Sequence, residues 1–409
     1  MISEHELDAL KMLAQTPSVE NFKKIVCFFD DFESSEILRD CLQSTNDLLG
    51  HWEDRFRKVH LLDIWPSFPM GQPLPSIILV RHLVVRRPTT KEEVHALVKC
   101  DKIRQLTMLD FSHSGLGNEE VGRLANSPHL GELVSLQLNG NKISRKGVER
   151  LANSPFLRCL SELSLHANPI GDDGVLGFVE EGGCEGLGSI SFSRLGVEGV
   201  KAIANSQSSR ELRTLRVFHC DGKDELAIVI ANSTSLSQLT TLDLNVNDIG
   251  DEGAIALAYT SNLQCLKRLE LFDNRIGDDG LRAIAHSAHM CNVEKLLLTR
   301  NQIGDRGLTA IAEALYRRPM THLLLGDNHV GDAGVVALAK STNFPNLKRL
   351  DLFRNQIGNE GVMAIAKSMN FPHLHYLSVS GNLFDEKGVT ALEGSSCLKG
   401  TDVDYLSEW

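Results

Sequence analysis

From Leu106 onward the chain repeats one pattern of apolar and polar positions. In the stretch Leu266 to Gln302, apolar residues fall at Leu266, Leu269 and Leu271, and Asn274 follows three positions later. Ile276-Gly277-Asp278 comes next, and the pattern restarts at Val293, Leu296, Leu298 and Asn301, a period of 27 residues. With the asparagine as ruler, the column runs through Ser114, Asn141, Asn168, Ser193 or Leu195, Cys220, Asn247, Asn274, Asn301, Asn328, Asn355 and Asn382. These are eleven units, eight of them with Asn. Recurrence at this length predicts a solenoid, because one unit cannot bury its own apolar face and must stack on copies of itself.

Within each unit the spacing predicts a short strand whose Leu residues face inward while alternate positions face out, followed by a turn and a helix. The Asn is read as a ladder whose amide satisfies backbone groups that the turn leaves unpaired. Gly250, Gly277, Gly304, Gly331 and Gly358 are expected to supply a backbone conformation that a side chain would obstruct. Asp251, Asp278, Asp305 and Asp332, with Asn118 and Asn359, fall where a helix starts and are expected to be its N-caps. Ala-Ile-Ala, as at Ala283-Ile284-Ala285, keeps each helix close to its neighbours.

The pattern LxxLxLxxN, matched by Leu133-Leu136-Leu138-Asn141, Leu239-Leu242-Leu244-Asn247 and Leu347-Leu350-Leu352-Asn355, resembles the leucine-rich repeat family. The second half, xIGDxGxxAIAxS, looks like the long helix-containing subclass represented by ribonuclease inhibitor and the Ran GTPase-activating protein, and like bacterial-type members. The resemblance implies an α/β leucine-rich repeat solenoid, a horseshoe with a parallel concave β-sheet, convex helices and a small N-terminal helical cap. It says little about activity, since function lives in sites placed on a fold.

Residues 3 to 15, 18 to 30 and 34 to 49 carry helical apolar spacing, with Ser3 and Ser18 as candidate N-caps. The segment from Pro17 to Phe32 resembles a small helical domain that precedes such repeats in some bacterial proteins. A cap is physically required, because an uncovered first repeat exposes apolar side chains and a strand edge. Residues 1–75 are accordingly read as this cap plus a proline-rich linker from Trp65 to Pro75. Residues 76–395 are read as about 11 or 12 repeats beginning with the strand-like Leu79 to Val85, and 396–409 as a C-terminal cap using Leu398, Val403, Tyr405, Leu406 and Trp409. One unit spans only 25 residues between Gly174 and Gly199. The glycine-rich run from Glu180 to Gly186 inside it suggests a shortened or broken helix, and the array is expected to bend or twist differently between residues 180 and 230.

A hydrophobic content of 42% with 23% charged residues is ordinary for a globular chain. The net charge of -11 opposes nucleic-acid binding by the whole surface. The acidic N-terminus does not read as a secretory signal, and no apolar run is long enough for a membrane span. Nine scattered cysteines without CxxC read as reduced thiols of a cytoplasmic protein.

Candidate chemistry is sparse. Gly115-Leu116-Gly117 lacks a third glycine at Glu120, and no GKS or GKT, HExxH or GxSxG occurs. His286 and His289 have HxxH spacing but no acid or Cys partner, and the recurrent helix-start acids come one per unit, so no metal and no cofactor is assigned.

The outward strand positions remain. Counting two, four and six residues back from the Asn column gives three rows. In the later units these rows bring exposed aromatic and aliphatic residues beside a basic column. The apolar centre is Phe272, Leu297, Leu324 and Phe353, with Arg268, Lys295, Arg349 and Arg354 as charged rim and Glu270, Arg300 and Asp351 among them. Aromatic and Arg anchors are what interface hot spots are made of. The resulting expectation is a non-enzymatic, cytoplasmic scaffold that binds a protein partner of unspecified identity on its concave face. The likeness to the Ran activator leaves open a GTPase-activating or regulatory role, although no residue here can be given that catalytic part. The N-terminal helices leave open a bacterial effector or adaptor that docks through them.

Overall fold

The computed structural model describes residues 4–30, 36–64, 75–315 and 319–405. The chain divides into two compact units, Met1–Ser191 and Phe192–Trp409. Fourteen strands occur among the described residues, interleaved with helices.

The first unit opens with helices Glu4–Ala14, Val19–Asp30 and Glu36–Leu48, at the places the apolar spacing predicts. Ser18 caps the second, its Oγ accepting from the Asn21 N–H at 3.0 Å. Phe22, Ile25, Phe29 and Leu49 form their core, and the Trp52 indole donates to the Ala14 carbonyl at 2.8 Å. Strands Lys58–His60, His82–Val84, Met108–Asp110, Ser135–Gln137 and Glu162–Ser164 then pair in chain order, all parallel, and Glu162–Ser164 continues onto Ser189 to Ser191. The sheet therefore begins at Lys58, two strands before the point at Leu106 where the periodicity becomes legible and one before the degenerate unit read from Leu79. Its signal is hidden by a buried Arg57, whose guanidinium donates to the Leu79 carbonyl at 2.8 Å and to Asn46 at 2.6 Å. Instead of the strand expected from Leu79, a short 3-10 turn Pro75–Leu79 leads into His82–Val84. The stretch 65–74, read as a linker, and Leu406 and Trp409, read as capping residues, lie outside the described residues.

In the second unit strands Thr214–Phe218, Thr241–Asp243, Arg268–Glu270, Lys295–Leu297, His322–Leu324, Arg349–Asp351, Tyr376–Ser378 and Asp402–Asp404 pair in parallel, each with the next. Parallel neighbours require a crossover, and here each crossover is a helix of eight or nine residues, such as Asp278–His286 packed between Asp251–Tyr259 and Asp305–Ala312. The core is what the periodicity names: Leu266, Leu269, Leu271, Ile276, Leu281 and Ile284 are each at most 1% exposed.

Three hydrogen-bond ladders join one repeat to the next. The asparagine ladder is as expected: Asn274 donates to the Leu244 carbonyl of the preceding repeat at 3.0 Å and accepts from the Asn247 and Ile249 N–H groups at 3.1 and 2.9 Å. Cys220 takes the same place, its Sγ accepting from the Leu195 N–H at 3.3 Å. The second ladder corrects the capping assignment. Asp251 is the first residue of its own helix, and Gly250 occupies the N-cap position. The Asp251 carboxylate accepts instead from Gly277 and Gly280 of the following repeat, at 2.7 and 2.9 Å, and Asp278, Asp305 and Asp332 repeat the arrangement. Asn118 and Asn359 likewise accept from Ser144 and Asp385 one repeat on. A third ladder, not read from the sequence, closes the helix ends: the Ser287 hydroxyl donates to the Ala258 carbonyl at 2.5 Å, and Ser341 to Ala312 at 2.6 Å.

The glycine expectation changes with the second ladder. Gly277 has a φ of -102°, open to any residue, so its conformation is not special. The tight place is Gly280, where a Cβ would stand 2.6 Å from Asp251 Oδ1.

The short unit also differs from expectation. The helix Gly171–Glu180 is intact at ten residues. The two missing residues come from the turn before Leu195, which directly precedes the N-cap Gly196 as Ile249 precedes Gly250 and bonds to the next repeat in the same way.

Leu269→Ala is expected to cost ~2 to 5 kcal/mol by leaving a cavity in a stacked core, against less than about 1 kcal/mol for the half-exposed Phe272→Ala. Urea denaturation measures both, and equal losses would mean the inward and outward rows are exchanged. Gly280→Ala is expected to lower the melting midpoint further than an alanine at solvent-facing Arg282, since only the former pushes a repeat apart from its neighbour.

Candidate functional site

The candidate site is built on strands Arg268–Glu270, Lys295–Leu297, His322–Leu324 and Arg349–Asp351 and on the residues that follow each, all in the second unit. The inward Leu269, Leu296, Leu323 and Leu350 are fully buried. The pleat then turns Arg268, Glu270, Lys295, Leu297, His322, Leu324 and Arg349 to the other face, where all are half-buried. Register is in phase: Arg268, Lys295, His322 and Arg349 are partners across the sheet, as are Glu270, Leu297, Leu324 and Asp351.

The turn after each strand sets the next row. The residue just before the Asn column is left-handed in repeat after repeat: Asp273, Arg300, Asp327 and Arg354 have φ between 47° and 57°. A non-glycine residue there costs roughly 1 to 3 kcal/mol, and the Asn ladder holds it in place. This twist throws Arg300 and Arg354 outward as exposed cations and leaves Phe272 and Phe353 half-buried on the face. The Arg300 guanidinium covers the Phe272 ring at 5.5 Å and meets Asp327 at 3.3 Å. The Phe353 ring lies against Gly326, where a Cβ would come within 2.1 Å of it. The two Phe side chains therefore do not touch each other through their row, since Thr299 and Gly326 stand between. The contiguous apolar part is the register pair Leu297 and Leu324.

Two arginines of the face are paired along their own strands. Arg268 meets Glu270 at 2.5 Å and Arg349 meets Asp351 at 3.6 Å, while Arg349 also stacks on Tyr376 at 4.3 Å. Asp351 is only 8% exposed and folds back to accept from the Phe353 N–H at 3.3 Å, so it positions Phe353 more than it faces solvent. Burial pushes its carboxyl upward, opposed by the Phe353 N–H and Arg349 and helped by Asp404. Next to it a cavity of about 640 Å³ is lined by Asp351, Phe353, Arg354, Tyr376, Ser380 and Asp404.

Three residues of this face escaped the sequence assignment although their rows were visible, Asp243, His322 and Tyr376, and a fourth, Asp404, lies one strand beyond the last Asn column. Asp243 is 5% exposed, caps the Asn245 N–H at 3.2 Å, and lies beside Glu270. Burial and then Glu270 push its carboxyl up to about 7. An alternating pattern says that Asp243 faces away from the core, but not that neighbouring side chains close over it.

Among the described residues no three His, Cys, Asp or Glu side chains converge as a metal site requires, and no helix is long and apolar enough to cross a membrane. No disulfide joins the cysteines among the described residues.

Parallel strands in chain order, helical crossovers and an asparagine ladder at fixed spacing define a strand–helix repeat solenoid. The chain is a leucine-rich repeat protein: the Leucine Rich repeat family profile matches residues 133–152, 236–258, 262–285, 289–312, 318–339 and 345–366. Similar solved structures include an internalin from Listeria monocytogenes, at 19% identity over 85% of this chain and 94% of that one, with a TM-score of 0.48. A leucine-rich repeat protein from Leptospira interrogans matches at 16% identity over 81% and 91%, with a TM-score of 0.36. A chain of the complex of Latrophilin 3, Unc5D and FLRT2 matches at 16% identity over 74% and 84%, with a TM-score of 0.41. No curated protein sequence matches the chain. Leucine-rich repeats generally mediate protein–protein interaction and are generally non-enzymatic.

Because the folded Asp243 carboxyl is raised above its unfolded value, its contribution is most favourable below about pH 4 and is lost as pH rises through about 7. Asp243→Asn keeps the acceptor for Asn245 and removes the titration. Its stability relative to the parent protein is expected to improve by up to ~4 kcal/mol between about pH 4 and pH 8, read by urea denaturation at each pH. A constant difference across that window would show that the carboxyl is not raised.

Proposed function

We propose that the chain is a non-enzymatic, cytoplasmic scaffold that captures a protein partner on the outward face of its second unit. The observation that carries this reading is the half-exposed set Phe272, Leu297, Leu324 and Phe353 bordered by Arg268, Lys295, Arg300, Arg349 and Arg354, with Glu270 and Asp351 orienting two of the arginines. None of these side chains is needed for the inward core or the three ladders. Phe353 seated against Gly326, and Phe272 beneath Arg300, lose little freedom when covered by another molecule, which favours affinity. With strands ~4.8 Å apart, the four strands offer roughly 15 Å of length, the size of a helix or loop of a partner.

The N-terminal segment 1–75 is assigned the role of a cap: the helix Val19–Asp30 packs against the first strand Lys58–His60, the place an uncovered edge would otherwise occupy. Residues 396–409 are assigned the same role at the other end, where Leu398 is buried and Asp402–Asp404 adds a last strand.

Phe353→Glu combined with Arg349→Glu is expected to abolish capture of the partner while leaving the circular dichroism spectrum and the thermal midpoint close to those of the parent. Undiminished capture by the folded double variant would refute the assignment of this face. A single-turnover assay with candidate small GTPases separates the scaffold from the activator reading: acceleration of hydrolysis supports the latter.

A further inference from the structure

Positive charge along the basic row is uneven. Arg268 and Arg349 each meet a carboxylate two residues further along the same strand, Glu270 and Asp351. Lys295 and His322 stand between them on adjacent strands, in register with each other and with those arginines. Two residues further along these two strands come Leu297 and Leu324, so the position that holds an acid on either side is aliphatic here. Among the described residues Lys295 has no salt-bridge partner, and the nearby Glu294 carboxylate is engaged by Lys267 at 3.5 Å.

The surroundings of His322 point the same way. Its ring is held below the ordinary histidine value first by burial and then by Lys295, Arg349, Arg268 and Lys348, all positive. The Thr321 hydroxyl donates to the Glu294 carbonyl at 3.1 Å and lies 2.9 Å from His322 Nδ1. With that hydrogen on the Glu294 carbonyl, Nδ1 donates to the Thr321 hydroxyl and Nε2 is the nitrogen that gains a proton.

We propose that Lys295 and His322 receive an acidic side chain of the partner, and that the partner segment carries an Asp or Glu with aliphatic neighbours resting on Leu297 and Leu324. The inference rests on the reading of this face as a docking surface and names the chemistry that it selects. Nucleic acid is disfavoured, because affinity for it depends on neutralising many phosphates, and two of the three cations in the row already have carboxylate partners. An incoming carboxylate favours protonated His322, so binding takes up a proton and tightens as pH falls.

The test uses the full chain and short labelled peptides of alternating Leu and Asp, Leu and Lys, or Ser and Asp, with a labelled thymidine oligonucleotide as a further probe, read by fluorescence anisotropy. The Leu–Asp peptide is expected to bind at least about tenfold more tightly than the other three, to tighten between about pH 7.5 and pH 5.5, and to weaken about tenfold with Lys295→Gln. His322→Gln is expected to remove the pH dependence. In nuclear magnetic resonance titrations the His322 midpoint is expected to rise both in Lys295→Gln and on adding the Leu–Asp peptide. Preference for the Leu–Lys peptide or the oligonucleotide, or a folded Lys295→Gln protein with unaltered Leu–Asp affinity, would overturn the inference. If the Phe353→Glu, Arg349→Glu variant loses its native partner but Lys295→Glu keeps it, the docking face stands and the acidic class falls. If both variants keep the partner, the docking face itself is wrong.

Discussion

Each turn in this protein is completed by a neighbouring repeat. An asparagine such as Asn274 reaches back to satisfy the strand and turn of the repeat before it, an aspartate such as Asp251 reaches forward to the helix start of the repeat after it, and a serine such as Ser287 reaches back to the helix end. These donors and acceptors are buried or nearly so, and a buried polar group without a partner costs roughly 1 to 3 kcal/mol. One repeat alone would leave all of them open. Stacking is therefore demanded by hydrogen bonding as well as by the apolar face, and the two demands share a register of 27 residues.

That constraint explains why the outward side of the strands is available for recognition. Structural work is assigned to inward leucines, the Asn column, the helix-start acids and the helix-end hydroxyls. The rows Arg268 to Arg349, Glu270 to Asp351 and Phe272 to Phe353 carry none of it, with the exception of Asp351 and Asp243, whose carboxylates cap backbone N–H groups two residues on. The left-handed residue before each Asn then sets the direction in which Arg300 and Arg354 leave the surface. Side chains on the face are ordered by neighbours one repeat away: Phe353 by the absence of a Cβ at Gly326, Phe272 by Arg300, and Arg349 by Tyr376. A surface held this way pairs well with a partner because little freedom remains to be lost.

In the proposed interface, electrostatics would add selectivity. Own-strand pairing neutralises Arg268 and Arg349 and leaves Lys295 as the positive centre beside two leucines, with His322 next to it able to gain a proton. On a chain with a net charge of -11, a small positive and aliphatic spot stands out against its surroundings. Burial and then Glu270 raise the carboxyl of Asp243, and burial and then Lys295 lower the ring of His322, a few strands apart on one face.

Read alone, the residue order determined the repeat, its length, the inward leucines, the parallel strand–helix arrangement and the rows that face outward. Each of these follows from periodicity, and a stacked fold copies periodicity directly into contacts. Tertiary structure decided whatever depends on which repeat supplies a partner. The helix-start aspartates satisfy the following helix and not their own, Gly280 is required by that carboxylate, and Lys58–His60 joins the sheet without a legible pattern. Burial of Asp243 and the uneven pairing of the basic row belong to the same kind. Side chains 27 residues apart in sequence become neighbours ~4.8 Å apart in space, and spacing along the chain states that they meet without stating which of them bond.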